Sequence, residues 1–177
     1  MSLKSSENRY GTVAVAIHWL SALLVLGLLI SGLTAAGMAD QAAKVSILRI
    51  HAVVGSTVLV LTLARVAWWL FADRRPTDPA GMPRLQGRAA HAVHLLFYVA
   101  LIGMAASGIG MLILSGAASI LFGGAPGPLP DFLQYPPRIA HGFGAFFLVA
   151  LIVAHLAAAL YHQFVMRDRL LARMGIG

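Results

Sequence analysis

Four long apolar runs, separated by shorter polar segments, organise the chain. They cover approximately residues 13–36, 47–71, 92–114 and 139–165. Each is long enough to cross a hydrocarbon core of about 30 Å, which needs roughly 20 helical residues. None alternates with the period of two that a barrel strand requires, and only helices or closed barrels satisfy their backbone in lipid. The pattern predicts an all-α integral membrane four-helix bundle. The first run is expected to be a retained helix: it is longer than a signal-peptide h-region, and Leu33-Thr34-Ala35-Ala36 makes a poor cleavage site. Two segments rich in Pro and Gly, PTDPAGMP at 76–83 and GGAPGPLPDFLQYPP at 123–137, read as irregular surface loops. No internal repeat or second domain is visible, so residues 1–177 are expected to form one transmembrane domain.

Composition agrees with that reading. Of 177 residues, 59% are hydrophobic and 11% charged, far from the balance of a soluble domain. The absence of cysteine excludes disulfides, iron–sulfur clusters and covalent c-type haem attachment. The net charge of +7 is not a nucleic-acid signal, because the cations sit in short flanks and loops. Lys4, Arg9, Arg74, Arg75, Arg84, Arg88, Arg167, Arg169 and Arg173 lie on one side of the predicted topology; Lys44, Arg49 and Arg138 lie on the other. Nine against three places both termini and the middle loop in the cytoplasm. Trp68 and Trp69 fit an interfacial belt on that side. All six acidic residues fall outside the apolar runs, which argues against an ion transporter or proton pump. With no thiolate and no closely spaced triad, zinc is also a poor fit.

The chemistry that remains is histidine. His141 and His155 are fourteen residues apart in one apolar run. On a helix that spacing returns to within roughly 40° of the same face, about 21 Å further along. Two imidazoles then point one way at two depths, where ionisable groups are costly and usually functional. His18, in the first run, sits at the depth of His155. His51, in the second, sits at the depth of His141. Depth thus gives the pairs His18/His155 and His51/His141, the arrangement expected for two b-type haems stacked across the bilayer and held through iron by these four side chains. Small residues beside the histidines (Ala22, Gly55, Gly144, Ala145, Ala158, Ala159) would let a flat ring approach the helices, although small residues also serve ordinary helix packing.

Other polar residues read in two ways each. Arg65, fourteen after His51, either pairs with a haem propionate or snorkels towards the interface. His162, seven after His155, either hydrogen-bonds a propionate or quinone carbonyl or is simply interfacial. His91 and His94, in AHAVH, are weaker candidates for the same site. Lys44, Arg49 and Arg138 either compensate the propionates of the outer haem or form a field that steers an anionic electron donor.

The strings IHW at 17–19, IHAVVG at 50–55 with Arg65 downstream, AHAVH at 90–94, and H-x13-H followed by AALYH up to 162 carry a resemblance over nearly the whole chain. It resembles the bacterial cytochrome b561 family of di-haem inner-membrane proteins. The resemblance implies ligation by His18, His51, His141 and His155. It also implies superoxide oxidase activity: periplasmic superoxide yields dioxygen, and ubiquinone is reduced near the inner leaflet. His162 matches the position expected to serve the quinone, and Arg84 would join it, although the middle loop departs from the family pattern. Two rivals stand beside this reading. One is an electron-relay cytochrome b subunit between the quinone pool and a periplasmic redox partner, docking on the loop at 115–138. The other is a haem-storing or haem-sensing membrane protein.

Overall fold

The computed structural model describes residues 2–79 and 81–176, and no β-strand occurs among them. Helix α1 spans Thr12–Gly37, α2 Gln41–Ala67, α3 Arg84–Leu114 and α5 Pro136–Tyr161. A short α4, Ala117–Phe122, lies between α3 and α5. π-helical turns extend α2 through Trp68–Ala72 and α5 through His162–Met166. The four membrane-length helices expected from the sequence are therefore present, at 26 to 32 residues each, or about 39–48 Å at 1.5 Å per residue.

Every one runs past its apolar stretch. The segments 41–46 and 84–91 contain no proline and continue the helix outward, α3 tolerating Gly87 in its first turns. Pro83 marks the start of α3, and Pro136 with Pro137 begins α5, where a missing N–H has no cost. Arg84 and Arg88, expected in a loop, consequently stand in the first two turns of α3. Asp40 caps α2 by accepting from the N–H groups of Ala42 and Ala43, at 2.9 and 3.4 Å. Of the segment 123–137, residues 123–135 are irregular as expected apart from the 3-10 turn Phe132–Gln134, whereas Pro136 and Pro137 already belong to α5.

α1 packs on α2, α3 on α5, and α2 also on α3. Their shared core is small: Val25, Val58, Ala100, Leu148 and Leu151, surrounded by Leu24, Leu28, Phe97, Leu101 and Ile152. The outer faces are apolar as well; Phe143 and Phe146 are 79% and 77% exposed. Exposed aromatic surface of this extent suits hydrocarbon rather than water.

At the end that carries the termini, three segments are tied together. Asp73 accepts from the Ser5 N–H and hydroxyl and from Trp68 Nε1. Burial alone would raise the Asp73 carboxyl, but these bonds and the Arg74 N–H outweigh it and hold it below its usual range. Arg173 donates to the carbonyls of Glu7, Asn8 and Thr77, and Trp19 Nε1 donates to Met174 O. The C-terminal turn Leu170–Met174 is thereby folded back over the start of α1.

Candidate functional site: two histidine layers

Imidazoles gather at two levels of the bundle. In the layer remote from the termini, His51 of α2 and His141 of α5 have ring centroids 6.2 Å apart. In the layer nearer the termini, His18 of α1 and His155 of α5 are separated by the same 6.2 Å. Each pair is assembled from two different helices, so the bundle, not any one helix, sets the spacing.

The remote layer has a repeated hydrogen-bond pattern. His51 Nδ1 lies 3.0 Å from Ser31 Oγ, and His141 Nδ1 lies 2.9 Å from Ser107 Oγ. Each serine donates its one hydroxyl proton to the carbonyl three residues back, Leu28 O at 3.1 Å and Met104 O at 2.9 Å. The serine oxygens are left to accept, so both Nδ1 atoms carry the ring hydrogen. Met104 O also lies 3.1 Å from His141 Nδ1 and, as a carbonyl, accepts only. Both rings thus keep an unprotonated Nε2. The next residue in each helix is glycine: a Cβ on Gly32 would stand 3.2 Å from His51 Cε1, and one on Gly108 would stand 3.4 Å from His141 Cε1.

The nearer layer is built otherwise. Arg65 Nη1 donates to His18 Nδ1 at 3.2 Å. The guanidinium thus turns inward onto an imidazole rather than out to the interface. Its Nε is buried and has no partner among the described residues. His94 of α3 joins this layer, with its ring centroid 5.5 Å from that of His155 and its Nδ1 donating to Ala90 O at 2.7 Å. Phe97 meets His155 edge-on at 5.6 Å.

The remaining candidates are dispersed. His162 stands where α5 passes into its π turn, and its Nδ1 is 2.5 Å from Asp168 Oδ2. Asp168 gets there because Arg167 and Arg169, at φ 55° and 60°, reverse the chain in the left-handed region, a conformation costing roughly 1–2 kcal/mol per non-glycine residue. His91 is exposed on α3 and is not part of the histidine layer that holds His94. Arg49 and Arg138 share the remote end. Arg49 Nε donates to Leu121 O at 2.5 Å, fastening α4 to α2, and Arg138 lies along its own helix against Gly142. Lys44 is half-buried one heptad before His51.

Sequence reasoning passed over Ser31, Ser107 and Asp168, and undervalued His94. One signal was present. His18 and Ser31 are thirteen residues apart, as are His94 and Ser107; His51 and Arg65 are fourteen apart, as are His141 and His155. The site positions of α1 and α2 recur in α3 and α5, although the intervening residues differ too much to read as a repeat.

A four-helix membrane bundle without cysteine, carrying imidazole pairs at two depths, defines the class of membrane b-type cytochromes. The sequence profile of prokaryotic cytochrome b561 matches residues 9–177, and the chain belongs to that family, whose members are haem-binding electron-transfer proteins of the membrane. A probable superoxide oxidase CybB of Yersinia pestis is 30% identical over 174 residues, covering 95% of this chain and 96% of its own. Cytochrome b561 homolog 2 of Escherichia coli is 29% identical over 184 residues, covering 98% and 95%. Cytochrome b562 of Cereibacter sphaeroides is 30% identical over 178 residues, covering 96% and 97%.

Proposed function

We propose that this cytochrome is a superoxide:ubiquinone oxidoreductase with two b-type haems, its termini in the cytoplasm and its remote layer facing the periplasm. The observation that carries the di-haem reading is the equal separation of the two histidine pairs. Imidazoles that ligate one metal at about 2.0–2.1 Å hold their ring centres roughly 6 Å apart, and both pairs stand at 6.2 Å. In the outer layer Nδ1–H is already engaged and Nε2 free, the tautomer an iron ligand needs. In the inner layer the buried, unpartnered Nε of Arg65 suits a propionate carboxylate. The Arg65 bond to His18 Nδ1 leaves the ring proton on Nε2, so the guanidinium is expected to move from imidazole to propionate in the loaded protein. The donor set fits haem.

His51 and His141 would hold the outer haem and His18 and His155 the inner one. Held in this way, haem would supply one-electron iron chemistry suited to outer-sphere transfer. The chain's own residues do the rest. Lys44, Arg49 and Arg138 give the outer end a positive field, and superoxide, small and anionic, needs field and access more than a shaped pocket. His162, its Nδ1–H donated to Asp168, leaves Nε2 to accept from a hydroxyl of the reduced quinone at the inner end. The balance is two superoxide ions, one ubiquinone and two protons giving two dioxygen molecules and one ubiquinol. The relative named as a probable superoxide oxidase supports this choice of donor.

The relay reading keeps one observation in its favour: Phe122 and Leu133, near the outer loop, are largely exposed and would suit a docked partner. Mixing oxidised, haem-loaded protein with a superoxide source while following haem reduction separates the two. Fast reduction that slows with salt, and slows further in Arg49→Gln and Arg138→Gln, is the expected result. Haems that stay oxidised would refute the oxidase and leave the relay.

A further inference from the structure

The recurrence of one device at both outer histidines is more than packing requires. On α1, Ser31-Gly32 meets His51 of α2; on α3, Ser107-Gly108 meets His141 of α5. Each serine stands thirteen residues after a histidine of the inner layer. Each spends its proton on the carbonyl three residues back and so can only accept from the ring. Each following glycine leaves space for the ring's Cε1 edge, where a Cβ would press at 3.2 or 3.4 Å. Among the described residues the inner layer shows neither feature: His18 Nδ1 is met by a cation instead.

Resting on the ligand assignment above, we propose that Ser31 and Ser107 are positioning residues that fix the Nδ1–H tautomer of His51 and His141 and lower the reduction potential of the outer haem. The physical reason is charge. A hydrogen bond accepted from Nδ1–H gives the imidazole more anionic character, which stabilises ferric over ferrous iron, so oriented outer-shell acceptors tune the metal as well as aim the ligand. The two serines are not equal. His141 Nδ1 has a second acceptor in Met104 O at 3.1 Å, whereas His51 Nδ1 has only Ser31 among the described residues. Removing Ser31 strands the ring hydrogen; removing Ser107 leaves it a carbonyl.

The test uses haem-loaded, full-length protein in lipid nanodiscs, titrated potentiometrically through the haem absorption bands, with haem counted per chain. Two haems in the unaltered protein are required first; fewer would sink the ligand reading and say nothing about the serines. The component lost in His141→Ala identifies the outer haem. Ser31→Ala is expected to raise that component's potential by up to a tenfold shift towards the ferrous form, about 59 mV for one electron, with the other component unmoved. Ser107→Ala should shift it less, and Ser31→Thr, which keeps the hydroxyl, should restore it. If Ser31→Ala instead releases a haem, retention of two haems by Ser31→Thr still supports the hydrogen bond. An unchanged potential in Ser31→Ala, a shift of both components together, or equal defects in the Ala and Thr variants would overturn the proposal.

Discussion

Replacing Arg65 by methionine removes a cation held against the inner histidines while keeping most of its bulk. Its Nη1 is 3.2 Å from His18 Nδ1; a move onto a propionate would leave it beside the same layer, so its charge would stand on the order of 7–8 Å from an iron held by that ring. At an effective dielectric of about 20, a unit charge at that distance is worth about 2 kcal/mol. A one-electron couple converts 1.4 kcal/mol into 59 mV, which makes the expected fall in the inner haem's potential about 90 mV. The sign follows from charge: ferric haem is one unit more positive than ferrous, so a nearby cation favours reduction and its loss disfavours it. Potentiometric titration of the Arg65→Met protein reads this directly, with Arg65→Lys as the variant expected to stay near the original value. A potential unchanged within about 20 mV, or a rise, would refute the reasoning, because it would mean that the guanidinium is screened by solvent at the interface instead of acting on the inner layer.

Other perturbations follow from the same geometry. His155→Ala should reduce the haem count from two to one, with the surviving component having the outer potential; two haems retained would overturn the pairing. Asp168→Asn should raise the KM for a soluble ubiquinone analogue several-fold without slowing haem reduction by superoxide, since it frees the His162 ring but lies at the opposite end from the donor. Asp73→Ala should lower the thermal midpoint of the detergent-solubilised protein, because hydrogen bonds to a charged acceptor contribute about 1.5–3 kcal/mol each at full burial and less at this half-buried site. The folded Asp73 carboxyl lies below its ordinary value. Its contribution is therefore present above the unfolded carboxylate range near pH 4 and fades as the pH falls through the folded value. The melting difference between the variant and the original protein should shrink in acid, and a constant difference would remove Asp73's charge from the account.

The helices were legible because membrane solvent imposes a crude rule, and long apolar runs obey it. Their ends were not, because polar residues without proline, such as those at 84–91, continue a helix that hydropathy alone would stop. The four paired histidines were legible through depth. An imidazole in an apolar run is rare enough to stand out, and helical spacing places it along the membrane normal. Ser31, Ser107 and Gly32 were not, since small and hydroxylated residues are common in membrane helices and only the facing helix gives them meaning. His94 was undervalued for a related reason: spacing put it on a helix but could not say that α3 would turn it towards His155. Asp168 was hidden by the chain reversal at Arg167 and Arg169, two non-glycine residues in a conformation that no propensity predicts.

The two layers differ in how they use the same geometry, and that difference bears on direction. The positions His51 and His141, with Ser31 and Ser107, correspond between the two helix pairs, so the outer layer keeps the internal correspondence intact. In the inner layer the corresponding positions are His18 with His94 and Arg65 with His155, so one of four places holds a cation where its counterpart holds an imidazole. Acceptors on both outer rings and a guanidinium beside the inner pair act in the same sense: the first lowers the outer potential and the second raises the inner one. If haem occupies both layers, these two influences would make the inner site the stronger electron acceptor, at the end where His162 and Asp168 stand. Within the proposed ligand set, two serines and one arginine together would turn a nearly symmetric pair of sites into a directed one.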